Sequence, residues 1–155
     1  MRRRQRERGS VAVEFALIFP VVVLVIFGII QYGYQYWAMS QASAIAREVA
    51  RLAIVNTQWS CGETWGVRQA RSANIGATAP TVTRTFPGGG GPGASGVVPE
   101  GTRIRVTVQL QSLDLGFLPV PADGKIVESA DARVEYAPNA LSGGETPQPC
   151  PAEYQ

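Results

Sequence analysis

Residues 11–30 read VAVEFALIFPVVVLVIFGII, twenty residues with a single charge, Glu14. As a helix this stretch spans about 30 Å, the thickness of a bilayer's hydrocarbon core. A core helix of a soluble domain keeps a polar face, and this one has none. The preceding residues carry Arg2, Arg3, Arg4, Arg6 and Arg8 against Glu7, a positive cluster that predicts a cytoplasmic N-terminus. Tyr32, Tyr34, Tyr36 and Trp37 follow, as an aromatic belt at the opposite interface does. The rest of the 155-residue sequence has no second apolar run of this length. One span forms no solute pathway, so transporter and channel readings fall away, and everything after about Trp37 is expected outside the cytoplasm.

A secretory signal peptide shares the basic start and apolar run, and Ala42-Ser43-Ala44 offers an A-x-A cleavage site. Its apolar region, however, is ordinarily about 7–15 residues long, with the cut close behind it. Here the candidate site lies far beyond Ile30, and helical pattern runs through it. The arginines at the start lack the rest of a twin-arginine signal.

The helix is predicted to continue to about Val55, some 67 Å from Val11. No proline occurs between Gln31 and Val55, and Asn56-Thr57 supplies an end. Ala38, Ala42, Ala46 and Ala50 fall on one side. Such a stripe lets another helix approach closely; a helix merely rich in a good helix former shows the same pattern. Ile45, Val49 and Leu52, with Trp37, form an adjacent stripe suited to packing on a globular domain.

Residues 64–76, TWGVRQARSANIG, predict a second short helix stopped by Gly76. The period then changes to two. Thr81–Phe86 reads as a strand. In Thr102–Gln111, Ile104, Val106, Val108 and Leu110 alternate with Arg103, Arg105, Thr107, Gln109 and Gln111. In Ile126–Tyr136, Ala130, Ala132, Val134 and Tyr136 alternate with polar residues. One apolar face predicts an antiparallel sheet covered on one side, with the long helix as cover. The fold class is therefore α+β.

Residues 87–96, PGGGGPGASG, look superficially like a phosphate-cradling loop but lack the Gly-Lys-Ser/Thr ending; a surface loop fits better. From Pro138 onward the Pro- and Gly-rich composition predicts an irregular tail.

The formal charge of +2 is too balanced for a nucleic-acid binder, and the chain contains no histidine. That removes the commonest general base and metal ligand. Two cysteines alone make no ordinary zinc site, no G-x-S-x-G elbow is present, and a lone cysteine nucleophile has no base to activate it. No catalytic residue, cofactor or metal is expected. Outside the cytoplasm, Cys61 and Cys150 are expected to form a disulfide, contributing about 4–5 kcal/mol through chain entropy.

The arginine-rich start, Gly9, Ser10, and Glu14-Phe15 opening an apolar helix together resemble a class III (prepilin) signal. In that family a membrane peptidase cuts after the glycine and leaves glutamate as the fifth mature residue. Gly9 here precedes the cut, Ser10 becomes the first mature residue, and Glu14 falls at the fifth. The stretches GSVAVEFALIFPVVV and YGYQYWAMSQASAIAREVARLA resemble the TadE-like minor pilins of the tight-adherence (Flp-type, type IVb) pilus. The resemblance covers about Arg8 to Val55, and loosely the strand-rich half. It departs from the type IVa motif, since Ser10-Val11-Ala12-Val13 stands where Phe-Thr-Leu-Ile is usual.

The resemblance implies a structural, non-enzymatic pilus subunit or initiator. Its partners would be prepilin peptidase, the membrane assembly platform, the major pilin, other minor pilins and membrane lipid, and not nucleic acid. It implies a leader (1–9), a membrane part of the helix (10–37), an extracytoplasmic pilin-like domain (38–137) and a tail (138–155). Glu14, with Phe15, becomes an assembly determinant. A carboxylate in an apolar span costs about 2.5–3.5 kcal/mol on insertion scales, and in the family it is similar to a counter-ion for a neighbour's N-terminal amine. A helix N-terminus near the headgroups also accommodates such a carboxylate. A membrane-anchored binding or adhesion domain that never enters a filament is the alternative.

Overall fold

The computed structural model describes residues 3–76, 78–92, 96–116, 118–135 and 147–155, with only the backbone for residues 3–9. Its dominant element is one helix, α1, Arg3–Ile54. Fifty-two residues at about 1.5 Å each give a rod of about 78 Å. The helix begins eight residues before the apolar run. Arg, Gln and Glu are good helix formers, and only Gly9 interrupts them. Pro20 lies inside the helix; its missing N–H leaves the Ala16 carbonyl without the usual backbone donor.

The end of α1 falls where Asn56 and Thr57 predict it. Asn56 adopts a left-handed φ of 55°. The Asn56 N–H reaches the Ala53 carbonyl at 3.2 Å, and the Thr57 N–H reaches that of Leu52 at 3.3 Å. This pair of bonds is a Schellman motif, with Asn taking the position glycine usually fills.

The second helix, α2, is Trp59–Ala73, not 64–76. It starts earlier because Gly62 and Gly66 are sites of close packing on α1 and not helix breaks. A Cβ on Gly66 would lie 3.0 Å from Val49 Cγ2 and 3.1 Å from Val82 Cγ2, and one on Gly62 would lie 3.2 Å from Val49 Cγ1. Tertiary contact overrides the propensity deficit there. Nor is Gly76 the stop: the cap is Asn74, in extended conformation. Gly76 instead passes against Gln111, whose side chain leaves no room for a Cβ.

Three strands follow: β1 Thr81–Thr85, β2 Arg103–Gln111 and β3 Lys125–Arg133. They form one antiparallel sheet in the order β1-β2-β3. Val82 pairs with Val108, Val106 with Ala130 and Leu110 with Ile126. The predicted two-residue period holds in β2, where Ile104, Val106, Val108 and Leu110 are buried. On the outer face Arg105 pairs with Asp131 in register, Nε to Oδ1 at 2.6 Å. Strand β3 ends three residues before the predicted Tyr136, which lies outside the described residues; Val134 is still buried, its N–H bonded to the Thr102 carbonyl.

The sheet and α2 pack on the C-terminal half of α1. Ala38, Ala42, Ala46 and Ala50 are 0–4% exposed and share one core with Val82, Ile104, Val106, Val108 and Ile126. The alanine stripe therefore seats the chain's own domain and is not left open to another helix. Ile45, Val49 and Leu52 are buried beside it, whereas Trp37 is exposed and stacks near Tyr34. The Ala42-Ser43-Ala44 segment lies inside α1. The architecture is α+β, with a three-stranded antiparallel sheet on a long N-terminal helix.

The last nine residues are tied down although they form no long element. Gln148 bridges to Thr57, with its N–H on the Asn56 carbonyl and its carbonyl accepting from the Gln58 N–H, both at 2.9 Å. Cys150 is bonded to Cys61, the two Cα atoms 5.6 Å apart and 89 positions apart in sequence. Tyr154 packs edge-on against Trp65. Its hydroxyl donates to the Glu48 carboxylate and accepts from the Arg51 guanidinium.

Candidate functional site

The two halves of α1 have opposite surroundings. Beyond Gln31 the helix is paved by its own sheet. Before Gly28 it is nearly bare: Val11, Val13, Phe15, Leu17, Phe19, Val21, Leu24 and Ile26 are all exposed. In the most apolar 18-residue window of the helix only 6% is buried. A helix apolar all round is stable only where water is excluded on every side. Among the described residues this is the one helix long and apolar enough to cross a membrane.

Glu14 sits on this bare half and is exposed, with no ion pair among the described residues. Phe15 is 65% exposed and its ring lies 5.4 Å from that of Phe19, one helical turn away. Gly9 and Ser10 both have helical backbone, and Ser10 is exposed. Gly9, Ser10, Glu14 and Phe15 thus fall within about two turns, and among the described residues Ser10, Glu14 and Phe15 are left exposed. The cysteines are remote from it. Cys61, in the first turn of α2, is buried beside Leu52 and Tyr154 at the far end of α1.

The aromatic belt divides by role. Tyr36 and Trp37 are exposed, while the other two tyrosines bind the domain. The Tyr34 hydroxyl donates to the Ala73 carbonyl at the end of α2, at 3.3 Å. The Tyr32 hydroxyl donates to the Pro119 carbonyl at 2.8 Å. Two residues not singled out by sequence reasoning belong here. Gln31 is fully buried, its Nε2 donating to the Leu118 carbonyl at 3.0 Å, and Gln35 is buried one turn further on. Their signal was present, as two glutamines one turn apart just past an apolar run.

Neither the curated proteins nor the solved structures give a significant match. A family model does. It begins at Gly9, runs through the bare half of α1 and stops in the half that seats the sheet. Residues 9–51 match the family model described as TadE-like protein, so that this part of the chain is similar to that family.

Proposed function

We propose that the protein is a minor pilin (pseudopilin) of a type IVb pilus, a structural and non-enzymatic subunit that initiates or joins the filament. Before assembly it is held in the cell membrane by the bare half of α1. The N-terminus is cytoplasmic and the sheet domain extracytoplasmic, because the arginine cluster precedes the span and the disulfide belongs to an oxidising compartment. Prepilin peptidase removes residues 1–9, leaving residues 10–37 as the membrane part of the helix, then the domain and its tail.

One observation carries this reading. A helix is split into a core half and an uncovered apolar half, and the only charge in that apolar half is Glu14, at a fixed offset from Gly9. Removal of the leader turns Ser10 into a cationic amine and leaves Glu14 as a buried charge in search of a partner. An amine of a neighbouring subunit satisfies it. The remaining partners are the membrane assembly platform, the major pilin and the other minor pilins.

The test is an intact mass and N-terminal sequence of membrane-extracted protein from cells with an active prepilin peptidase. Protein beginning at Ser10, and uncut precursor when Gly9 is replaced by a bulky residue, is the expected result. Protein retaining Met1 in such cells refutes the reading and leaves a plain membrane-anchored adhesion or binding domain, which needs no cut.

A further inference from the structure

The loop joining β2 to β3, residues 112–124, reads SLDLGFLPVPADG. Connections between antiparallel strands that face water are ordinarily polar turns, yet this one carries Leu113, Leu115, Leu118 and Val120, all only half-buried. Its own domain does not finish covering them.

The loop also leaves the domain in a definite direction, toward the membrane-spanning end of α1. Ile126 and Gln35 line one cleft, and Pro121 lines the same cleft with Tyr32. Further along, the Leu118 carbonyl accepts from Gln31, and Leu118 Cδ1 lies 2.9 Å from where a Cβ on Gly28 would be. Loop residues Pro119 and Leu118 thus sit beside residues 32, 31 and 28 of the helix. Gly28 is two residues inside the apolar run that ends at Ile30, about 3 Å below its upper limit. A Cβ at that place would push the end of the Leu118 side chain away from the helix.

We infer that the β2–β3 loop is a lipid-contacting foot, which rests in the outer headgroup region with Leu118 at the rim of the hydrocarbon and sets the depth and tilt of the domain over the bilayer. The inference rests on α1 being a membrane span. A 20-residue run fills the hydrocarbon thickness, so a side chain packed on Gly28 has no choice of depth. Tyr32, at the level where tyrosines favour the interface, clamps the loop through the Pro119 carbonyl. Asp114, the charge nearest the loop's exposed tip, is folded back on the Gly116 N–H at 2.8 Å.

The experiment uses the full chain in phospholipid bilayer discs, spin-labelled at one introduced cysteine; the native pair is held in its disulfide. Labels replace Val22→Cys in the span, Leu115→Cys in the loop and Gly88→Cys in the β1–β2 loop at the opposite end of the sheet. Gly88 has open space around it. Collision with oxygen is compared with collision with a water-soluble nickel complex. The oxygen-to-nickel ratio at Leu115 should be several-fold above that at Gly88 and below that at Val22. A Leu115 label as accessible to nickel as Gly88, while Val22 reports hydrocarbon, overturns the foot and leaves the span intact. Low collision with both reagents at Leu115 overturns it in favour of a second copy covering the loop. A nickel-accessible Val22 overturns the span itself, and the foot with it.

Discussion

Asn56 and Val98 hold each other by two hydrogen bonds, the Asn56 Nδ2 donating to the Val98 carbonyl at 3.0 Å and the Val98 N–H donating to Asn56 Oδ1 at 2.8 Å. Both residues are buried, and Asn56 also supplies the left-handed backbone that ends α1. One residue therefore ends the helix with its backbone and satisfies the Val98 backbone with its side chain. Asn56→Ala strands the Val98 groups and strains the turn, for a loss of about 2–4 kcal/mol. Asn56→Gly relieves the strain but not the bonds, so it should fall between. Denaturant melts of the detergent-solubilised protein order the three; an alanine variant as stable as wild type refutes the dual role.

Glycines in the two helices should respond in opposite directions. Gly66→Ala forces a Cβ against Val49 and Val82, and overpacking of about 1–3 kcal/mol outweighs a propensity gain of about 1 kcal/mol. Gly33 has nothing within 4 Å of a built Cβ, so Gly33→Ala keeps the propensity gain and raises the melting temperature. The same melts check both signs.

Docking of the last residues should depend on pH at both extremes. The Arg51 guanidinium first, then the Tyr154 hydroxyl, hold the Glu48 carboxyl below its ordinary value of 4.5. A depressed carboxyl stabilises above its unfolded value, and that contribution is lost as pH falls through the folded one. The bond to Glu48 pushes the Tyr154 phenol above its ordinary 10.0, so its contribution is complete below 10.0 and lost as pH rises further. Hydrogen exchange of the Gln148 amide should be slowest, after correction for intrinsic rates, between these limits. Glu48→Gln should flatten the acid side; an unchanged acid limb in that variant assigns the loss to another group.

Cys150→Ser should cost about 4–5 kcal/mol by the chain-entropy estimate, while leaving processing at Gly9 unaffected, because the bridge and the leader lie at opposite ends of α1. Alkylation of purified protein without reductant should label neither cysteine. Quantitative labelling refutes the bridge.

Glu14→Leu separates membrane insertion from assembly. Removing the charge makes insertion easier by a few kcal/mol at most, and the cut after Gly9 should persist. Recovery in sheared pili, or co-purification with the major pilin, should fail because the neighbour's amine loses its counter-charge. Glu14→Asp, one methylene shorter, should be intermediate. Wild-type incorporation of a normally cut Glu14→Leu protein shows that this carboxylate does not mediate assembly.

The long apolar helix, the alternation of β2 and the end of α1 at Asn56 were legible because each is a local pattern. What escaped was set by contacts between distant residues. Gly62 and Gly66 have low helix propensity, and only the fold shows Val49 standing opposite both and Val82 opposite Gly66. Gln31 and Gln35 drew no reading, yet both are buried, and Gln31 donates to the Leu118 carbonyl 87 positions away. The cysteine pair announces that Cys150 returns to Cys61, as it does; nothing local announces that Gln148 and Tyr154 also return, to the end of α1 and to Glu48 and Trp65. Around Glu14 the residue types were visible, and what the fold adds is that Ser10, Glu14 and Phe15 are left exposed.

The position of the disulfide also decides how the molecule bears tension. A pull applied between the N-terminal end of α1 and the final residues runs along the backbone to Cys61, crosses to Cys150 and continues to the C-terminus. Residues 62–149, and with them all three strands, form a closed covalent loop outside that load path. The sheet is then carried as unloaded cargo, and stretching the chain end to end extends it by the short connections near residues 55–60 and 151–155 before any strand is peeled away.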